Sequence, residues 1–532
     1  MTAPRVAAGG LAGAAVLIAV VTVASRLTGF ARSLVLAAAV GPNELGSAYT
    51  SANVVPNVLF EVAAGGALAG AVVPLLAAPL AQGIRRDVDH ITSALLGWTL
   101  VVLVPLGGLM ALLARPLAAF LVGGERDSIL VAASFLRVFA VQVPLYGIAV
   151  VLFGVLQAHR RFAWPALAPL VNNLVVIGVL VVFGHMVPGP KDDPAAVASS
   201  ALDLLAWGTT AGVAALAACV VVPAWRTGLR VRPTLRFGGV GARARVLMLA
   251  GLGAVVAQQL TVLVTVLVSN RWGGSGTFLI WQFLQQVYLL PYAVLAFPLI
   301  TAAFPRLAER VAADDGPGFA RLASGTTRGV ALVSVAGAAV LVAAAPAVES
   351  VYAAIADGPV QGAGAGLAWM APGLIGFAVS FHLSRTLYAL HRGRSAGIAV
   401  GSGWAAVGLL ALLSAAVLVG AVQDQARTLS VVGAATTAGM TLGALVAVAA
   451  LRRAAGAEAL VGLARTAGVS LAGGALGAWL GRVVAAHVLG AGGVLPGVLA
   501  AIAGGLVAVG VLAVGVLLAD RGALAGLRSV RG

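Results

Sequence analysis

Apolar stretches of membrane-spanning length recur along the whole chain. A transmembrane helix needs about 20 predominantly apolar residues. Only 9% of the 532 residues are charged, whereas about 25% is usual for a soluble domain. The sequence therefore predicts an all-α polytopic membrane protein with about 14 transmembrane helices. The predicted segments are 10–40, 46–80, 91–113, 128–157, 166–186, 199–223, 246–270, 277–304, 327–348, 366–390, 396–420, 428–451, 459–482 and 493–519.

The arginines indicate how these helices are oriented. Basic residues are concentrated on cytoplasmic loops. With the N-terminus in the cytoplasm, most of the 33 basic residues fall on inner loops, for example Arg85 and Arg86, Arg160 and Arg161, and Arg452 and Arg453. We therefore predict that both termini are cytoplasmic. The net charge of +16 is then explained by topology, and we expect no nucleic acid to be bound.

The longest inner loop predicts how the chain is divided. It is rich in arginine and separates an N-terminal lobe of six helices (1–225) from a C-terminal lobe of six (246–455), with the basic linker at 226–245. Two extra helices and a short cytoplasmic tail follow at 456–532. The sequence Val-Pro-Leu-Leu-Ala at 73–77 is weakly repeated as Phe-Pro-Arg-Leu-Ala at 304–308. Transporters are often built from such repeated halves.

Two arginines lie inside the first apolar segment, in the run Ser25-Arg26-Leu27-Thr28-Gly29-Phe30-Ala31-Arg32. A cation in hydrocarbon costs at least about 2.5–3.5 kcal/mol, so we expect both to face water, a partner or an anion. Six residues of helix place them about 120° apart, and a bend at Gly29 would aim both into one space. We predict an anion-binding pair for a phosphate or diphosphate. In the alternative, Arg32 reaches the interface and only Arg26 is buried.

Other polar residues in apolar segments complete the predicted substrate site. Ser25 and Asn57 are included with the arginines. Glu61 either pairs with Arg26 or Arg32, which we favour, or couples proton movement to transport.

In the eighth predicted helix, Gln282, Gln285 and Gln286 either bind sugar or peptide groups or bond neighbouring helices. Pro291 and Pro298 break that helix, and we predict hinges at Gly29, Pro56 and Pro291.

Three residues of other helices are weaker candidates. Arg137 is a candidate second anion contact, His382 is interpreted as a structural histidine, and Arg385 lies close enough to the inner end of its helix to reach the interface.

No motif of an enzyme is recognised. The sequence lacks a phosphate-binding Gly-Lys-Ser/Thr loop, a His-Glu-x-x-His motif and a Cys/His cluster, and Cys219 is the only cysteine. We expect no enzyme activity, no metal and no cofactor. Transport would then be driven by membrane potential, by a gradient of Na⁺ or H⁺, or by the substrate's own concentration.

Several motifs resemble the MurJ/MviN family. They are the run from Ser25 to Arg32, Ala48-Tyr49, the stretch 55–59 (Val-Pro-Asn-Val-Leu), the stretch 71–76, and 161–169 with Asn172 or Asn173. The resemblance implies the multidrug/oligosaccharidyl-lipid/polysaccharide exporter superfamily, with two lobes in a V and the last two helices forming a groove for a lipid tail. In this sequence Phe60 and Glu61 stand where the family has an arginine pair, Ser47 where it has an acid, and Gln286 where it has an arginine.

The resemblance also implies a function. The expected activity is a flippase that moves an undecaprenyl-diphosphate-linked cell-wall precursor, lipid II, from the inner to the outer leaflet of a bacterial plasma membrane. The expected partners are that polyprenyl-diphosphate-linked saccharide, membrane lipids and cell-wall synthesis proteins. Two alternatives stay open: a cation-coupled exporter of drugs, metabolites or other polysaccharide lipids, and a non-transporting paralogue that scaffolds cell-wall synthesis.

Overall fold

The chain is described here from a computed structural model, which covers residues 7–63, 69–189, 191–232, 234–236, 252–356, 358, 360–490 and 492–520. All regular secondary structure within these ranges is helical. The chain forms two compact units, Met1–Gln259 and Leu260–Gly532. The helices of the first unit are α1 (Ala7–Ala39), α2 (Glu44–Glu61), α3 (Ala69–Ala81), α4 (Arg85–Leu112), α5 (Ala114–Leu121), α6 (Arg126–Phe139), α7 (Gln142–Ala158), α8 (Ala163–Met186) and α9 (Ser199–Trp225).

The second unit begins within the next helix and continues to the end of the described chain. Its helices are α10 (Leu252–Gly273), α11 (Thr277–Pro291), α12 (Phe297–Ala312), α13 (Gly316–Ile355), α14 (Ala363–Met370), α15 (Gly373–Ala389), α16 (Gly393–Ser414), α17 (Gln425–Ala455), α18 (Leu463–Leu489) and α19 (Val494–Ala519).

Thirteen described helical segments are long and apolar enough to cross a membrane. They match the predicted segments apart from 46–80, which contains residues 64–68, outside the described residues. The described parts of that segment are α2 and α3. The chain is therefore an all-helical, multi-pass membrane protein, as predicted.

Several predicted segments consist of two helices rather than one. Segment 128–157 contains α6 and α7, and segment 366–390 contains α14 and α15. Pro144 and Pro372 lie beside these interruptions. Each proline favours a break there, because it lacks the N–H of a helical hydrogen bond and its ring clashes with the preceding turn. In segment 277–304 a π-helical turn, Tyr292–Ala296, follows Pro291. The predicted break is therefore seen only as a local change of helix type after Pro291, and the helical segment continues past Pro298.

The two units repeat the same local arrangement of helices. Helices α7 and α15 each have 17 residues and begin 231 residues apart, at Gln142 and Gly373. Each follows a shorter helix after a two-residue turn, and each is followed closely by a residue with positive φ, Arg160 or His391. The short sequence repeat at 73–77 and 304–308 has this same spacing. The internal repeat expected from the sequence is therefore visible in the helix boundaries.

The described part of the predicted linker lies along α4. The N–H of Arg230 donates to Asp89 Oδ1 (3.0 Å) and the N–H of Arg232 donates to Ser93 Oγ (2.9 Å). Trp98 Nε1 donates to the Leu235 carbonyl (2.7 Å). Residues 226–232 and 234–236 are thus fixed to the first unit, while 233 and 237–251 lie outside the described residues.

The last two helices are bound to α13 by a buried polar network. Arg328 donates from Nε to Thr466 Oγ1 (2.8 Å) and from Nη2 to Asp520 Oδ1 (3.2 Å), and Thr466 Oγ1 donates to Asp520 Oδ2 (2.6 Å). The side chains of Arg328 and Asp520 are 20% and 6% exposed. Because each member has its partners, this network holds α18 and α19 against α13.

Close packing of small residues joins α18 to α19. A Cβ at Gly504 would lie 2.6 Å from the Gly481 carbonyl oxygen, and one at Gly481 would overlap the Gly504 carbonyl oxygen. Helices in lipid associate through such small residues, which let the backbones approach.

We predict that Gly481→Leu destabilises the protein by about 1–3 kcal/mol, because the added side chain forces the two backbones apart. Thermal unfolding of the purified protein in detergent measures this. Gly510→Leu is the matched control, since nothing lies within 4 Å of a Cβ there. Equal stability of the two variants would contradict the described packing.

Candidate functional site

The arginines of the first apolar segment both lie on α1. Arg26 is exposed and Arg32 is half-buried. Among the described residues neither guanidinium forms a hydrogen bond or an ion pair, in contrast to Arg310, Arg328 and Arg427, which pair with Asp315, Asp520 and Asp424. Two cations on a membrane-spanning helix therefore have no counter-charge within the described part of the chain.

Helix α8 fixes the position of α1 beside these arginines. Asn173 Nδ2 donates to the Ser25 carbonyl (3.3 Å). A Cβ built at Gly29 would lie 3.4 Å from that same nitrogen, so the Asn173 side chain packs against Gly29. Ser25 and Arg32, seven residues apart, lie within about 20° of each other around the helix. The contact therefore orients Arg32 more directly than Arg26.

Helix α2 presents a polar row near Arg32. Tyr49, Asn53, Asn57 and Glu61 follow one another at intervals of four residues, so each lies one turn beyond the last. The row turns by about 120° around the helix from Tyr49 to Glu61. Asn57 Nδ2 donates to the Asn53 carbonyl (2.7 Å). The helix continues through Pro56 to Glu61, and the hinge predicted at Pro56 stays a prediction.

Helix α7 contributes Tyr146 to the same region. Its hydroxyl donates to Asn57 Oδ1 (3.2 Å), and its ring centroid lies 4.5 Å from that of Phe60. The Tyr49 hydroxyl shares a hydrogen bond with Thr209 Oγ1 of α9 (2.8 Å). These bonds fix two phenolic groups, from α2 and α7, beside the polar row.

Arg32 and Glu61 both lie near Tyr146 but do not form an ion pair with each other. Arg32 lies within Coulombic range of the hydroxyls of Tyr49 and Tyr146, and Glu61 lies within range of Tyr146. Yet Glu61 forms no ion pair with either arginine within the described residues. The predicted direct pairing is therefore wrong, because the row on α2 places the carboxylate beyond ion-pair distance. Arg32, Tyr49, Asn57, Glu61 and Tyr146 form one polar region, which we call the α1–α2 site.

The predicted glutamines belong to the second unit. Gln282, Gln285 and Gln286 are half-buried on α11, and their side-chain amides have no hydrogen-bond partner within the described residues. The interpretation that these glutamines form hydrogen bonds to neighbouring helices is thus not supported within the described residues. Their amide groups are free to bind a polar ligand. Pro291 ends α11, and its role as a hinge stays a prediction.

The three weaker candidates have different surroundings. Arg137 is exposed on α6. His382 is buried, with Nε2 3.1 Å from Thr326 Oγ1, so it is the structural histidine that was predicted. Arg385 lies against the rings of Phe297 and Phe381.

Sequence reasoning missed Tyr146 as a part of the site and Asn53 as a member of the polar row on α2. The four-residue spacing from Tyr49 to Glu61 is a local signal that could have identified Asn53. Tyr146 lies in an otherwise apolar helix, and only the packing of α7 against α2 shows its role. Tyr49 entered the sequence analysis through a family motif alone.

Solved structures define the class of this fold. The chain is similar to "Lipid II flippase MurJ, inward closed conformation", with a TM-score of 0.71 at 15% identity, over 94% of this chain and 99% of that one. It is also similar to an inward-facing multidrug resistance MATE family transporter of the MOP superfamily, with a TM-score of 0.63 at 13% identity, over 84% of this chain and 98% of that one. The chain therefore has the same helical membrane-protein fold as these two structures.

Sequence comparison gives the family. A family model described as "Lipid II flippase MurJ" matches residues 36–490, and this chain belongs to that family. Relatives include the probable lipid II flippase MurJ of Synechocystis sp., 29% identical over 257 residues (46% of each chain), and the lipid II flippase MurJ of Burkholderia cenocepacia, 26% identical over 299 residues (54% of this chain, 55% of the relative). The chain spans about half the length of the curated relatives it matches.

We predict that the position of Arg26 is open to water rather than to lipid, because an unpaired cation needs solvation. In a Cys219→Ala background, Arg26→Cys should react with a membrane-impermeant thiol reagent in cells. Leu27→Cys is the control, since Leu27 is 62% exposed and is expected to face acyl chains. Equal labelling of both positions, or none at position 26, would contradict the assignment.

Proposed function

We propose that this protein is a flippase that translocates a polyprenyl-diphosphate-linked cell-wall precursor, lipid II, between the leaflets of a bacterial plasma membrane. Membership of the MurJ family and the transporter fold support this activity over the exporter and scaffold alternatives. Both termini lie in the cytoplasm in this proposal, in agreement with the distribution of arginines.

The unpaired state of Arg32 is the observation on which the proposal depends. A guanidinium presents five N–H donors and binds phosphate in a bidentate manner. In the α1–α2 site it lies within Coulombic range of the hydroxyls of Tyr49 and Tyr146, and no carboxylate of the described residues forms an ion pair with it. Such a site favours an anion that arrives with the ligand, and a lipid diphosphate supplies two phosphates at the required membrane depth.

The remaining groups have distinct roles in this proposal. Arg26 binds the second phosphate, and Ser25 and Asn57 lie beside the pair. Tyr146 and Asn57, which bond to each other, form a polar wall that receives the headgroup. The half-buried amides of Gln282, Gln285 and Gln286 bind sugar or peptide groups, because amides hydrogen-bond such groups without introducing a charge. The polyprenyl tail stays in lipid.

We predict that Arg32→Ala lowers the rate of lipid II translocation at least about tenfold, since a charge-assisted hydrogen bond contributes about 1.5–3 kcal/mol. Purified protein reconstituted in vesicles with fluorescent lipid II measures the rate. Arg115→Ala, which removes an exposed arginine of α5, should leave the rate unchanged. Wild-type rates in both Arg26→Ala and Arg32→Ala would refute the proposed function.

Glu61 distinguishes the flippase from a proton-coupled exporter. We expect Glu61→Gln to retain translocation, because the carboxylate lacks a contact with either arginine. The same vesicles measured with and without a pH gradient test this. Gradient-driven transport in the wild type that disappears in Glu61→Gln would instead assign Glu61 a coupling role.

A further inference from the structure

A row of aromatic rings on α15 ends in an arginine. Phe377, Phe381 and Arg385 follow at intervals of four residues and share one face of the helix. The two phenylalanine rings stack with centroids 6.3 Å apart. Arg385 Cζ lies 4.9 Å from the ring centroid of Phe381 and 5.8 Å from that of Phe297 on α12. The guanidinium is therefore held between rings from two helices.

The side chain of Arg385 points away from the nearer end of its helix. Helix α15 ends four residues later, at Ala389. The guanidinium instead contacts Phe381, one turn towards the N-terminus, which is the direction in which helical side chains point. Arg385 lies inside the candidate span Ala363–Ala389 and is half-buried. The guanidinium is thus directed towards the middle of this helical segment, and its predicted reach to the interface stays a prediction.

The N–H groups of this guanidinium have no acceptor within the described residues. Contacts with aromatic rings attract the cation but supply no acceptor for its N–H groups. Among the residues that the structure describes, Arg385 has no hydrogen-bond acceptor and no carboxylate partner. A positioned arginine with five free donors is a receptor for a planar or tetrahedral oxyanion.

The internal repeat indicates which face of the second unit this is. The spacing of 231 residues that relates α7 to α15 makes Phe377 the counterpart of Tyr146 and Trp404 the counterpart of Asn173. The contacts agree, because Tyr146 packs on Phe60 of α2 and Phe377 packs on Tyr292, which follows α11, with centroids 4.8 Å apart. Phe377 also packs on Trp404 of α16 (6.4 Å). Phe377, at the start of the row on α15, therefore occupies the position that Tyr146 has beside the α1–α2 site of the first unit.

We propose that Arg385 is an oxyanion-binding residue of the second unit, where Phe297 and Phe381 position its guanidinium to bind a phosphate group of a membrane-embedded lipid. The inference rests on the proposed function for its preferred source of phosphate, the lipid diphosphate of the substrate. Phospholipid headgroups carry the same chemistry and are the other source.

Binding to the full-length purified protein in detergent tests this, with undecaprenyl diphosphate as one probe and phosphatidylglycerol as the other. We expect Arg385→Ala to raise the Kd for undecaprenyl diphosphate about tenfold or more, as loss of a charge-assisted pair does. Arg385→Lys keeps the charge but lacks the planar guanidinium. Its Kd for undecaprenyl diphosphate should lie between those of the wild type and Arg385→Ala. Phe381→Leu should weaken binding less than Arg385→Ala, because it removes only one of the two aromatic rings that position the guanidinium. Arg453→Ala, which removes an exposed arginine of α17, is the matched control.

The outcomes separate the sources and the two proposals. A loss confined to undecaprenyl diphosphate supports the substrate as the source, and an equal loss for phosphatidylglycerol supports an oxyanion site filled by headgroups. Unchanged Kd values in Arg385→Ala and Arg385→Lys, or no binding of either probe by the wild type, overturn the inference. Wild-type protein that binds through Arg385 but does not translocate lipid II would refute the proposed function alone. Normal translocation with unchanged binding in Arg385→Ala would refute the inference alone.

Discussion

Positive charge without a protein counter-charge, held within a membrane-spanning helix, is the constraint from which the other features follow. Each buried cation costs at least about 2.5–3.5 kcal/mol, and a folded domain is stable by only about 5–15 kcal/mol. Arg26 and Arg32 on α1 form no ion pair in the described chain. Their retention is explained if water solvates them at rest and a lipid diphosphate replaces that water during transport.

The rest of the first unit holds these charges in place rather than neutralising them. Asn173 fixes α1 through the Ser25 carbonyl and packs beside Gly29. Helices α2 and α7 supply amide and hydroxyl groups that are already bonded to each other. The second unit repeats this arrangement with aromatic rings in place of the amides and hydroxyls. Within the part of the chain that the structure describes, it carries its own unpaired cation, Arg385. One helical framework thus presents two different chemical surfaces.

The sequence predicts those features that depend on local composition. Apolar length gives the helices, and a charge inside an apolar run identifies Arg26 and Arg32 without any knowledge of tertiary structure. It does not predict the turn between α6 and α7, because a proline near the middle of an apolar segment is compatible with a kink or a break. The pairing of Glu61 with an arginine was predicted wrongly, since that requires the distance between α1 and α2. Tyr146 and the rings around Arg385 are defined by packing between helices that are distant in sequence.

The most direct measurement is an electron cryo-microscopy structure of the protein in lipid nanodiscs with bound undecaprenyl diphosphate. The account predicts phosphate oxygens within hydrogen-bond distance of the Arg32 guanidinium, with Arg26 on the same headgroup. Density for the diphosphate elsewhere, with both arginines extended among acyl chains or bulk solvent, would contradict it.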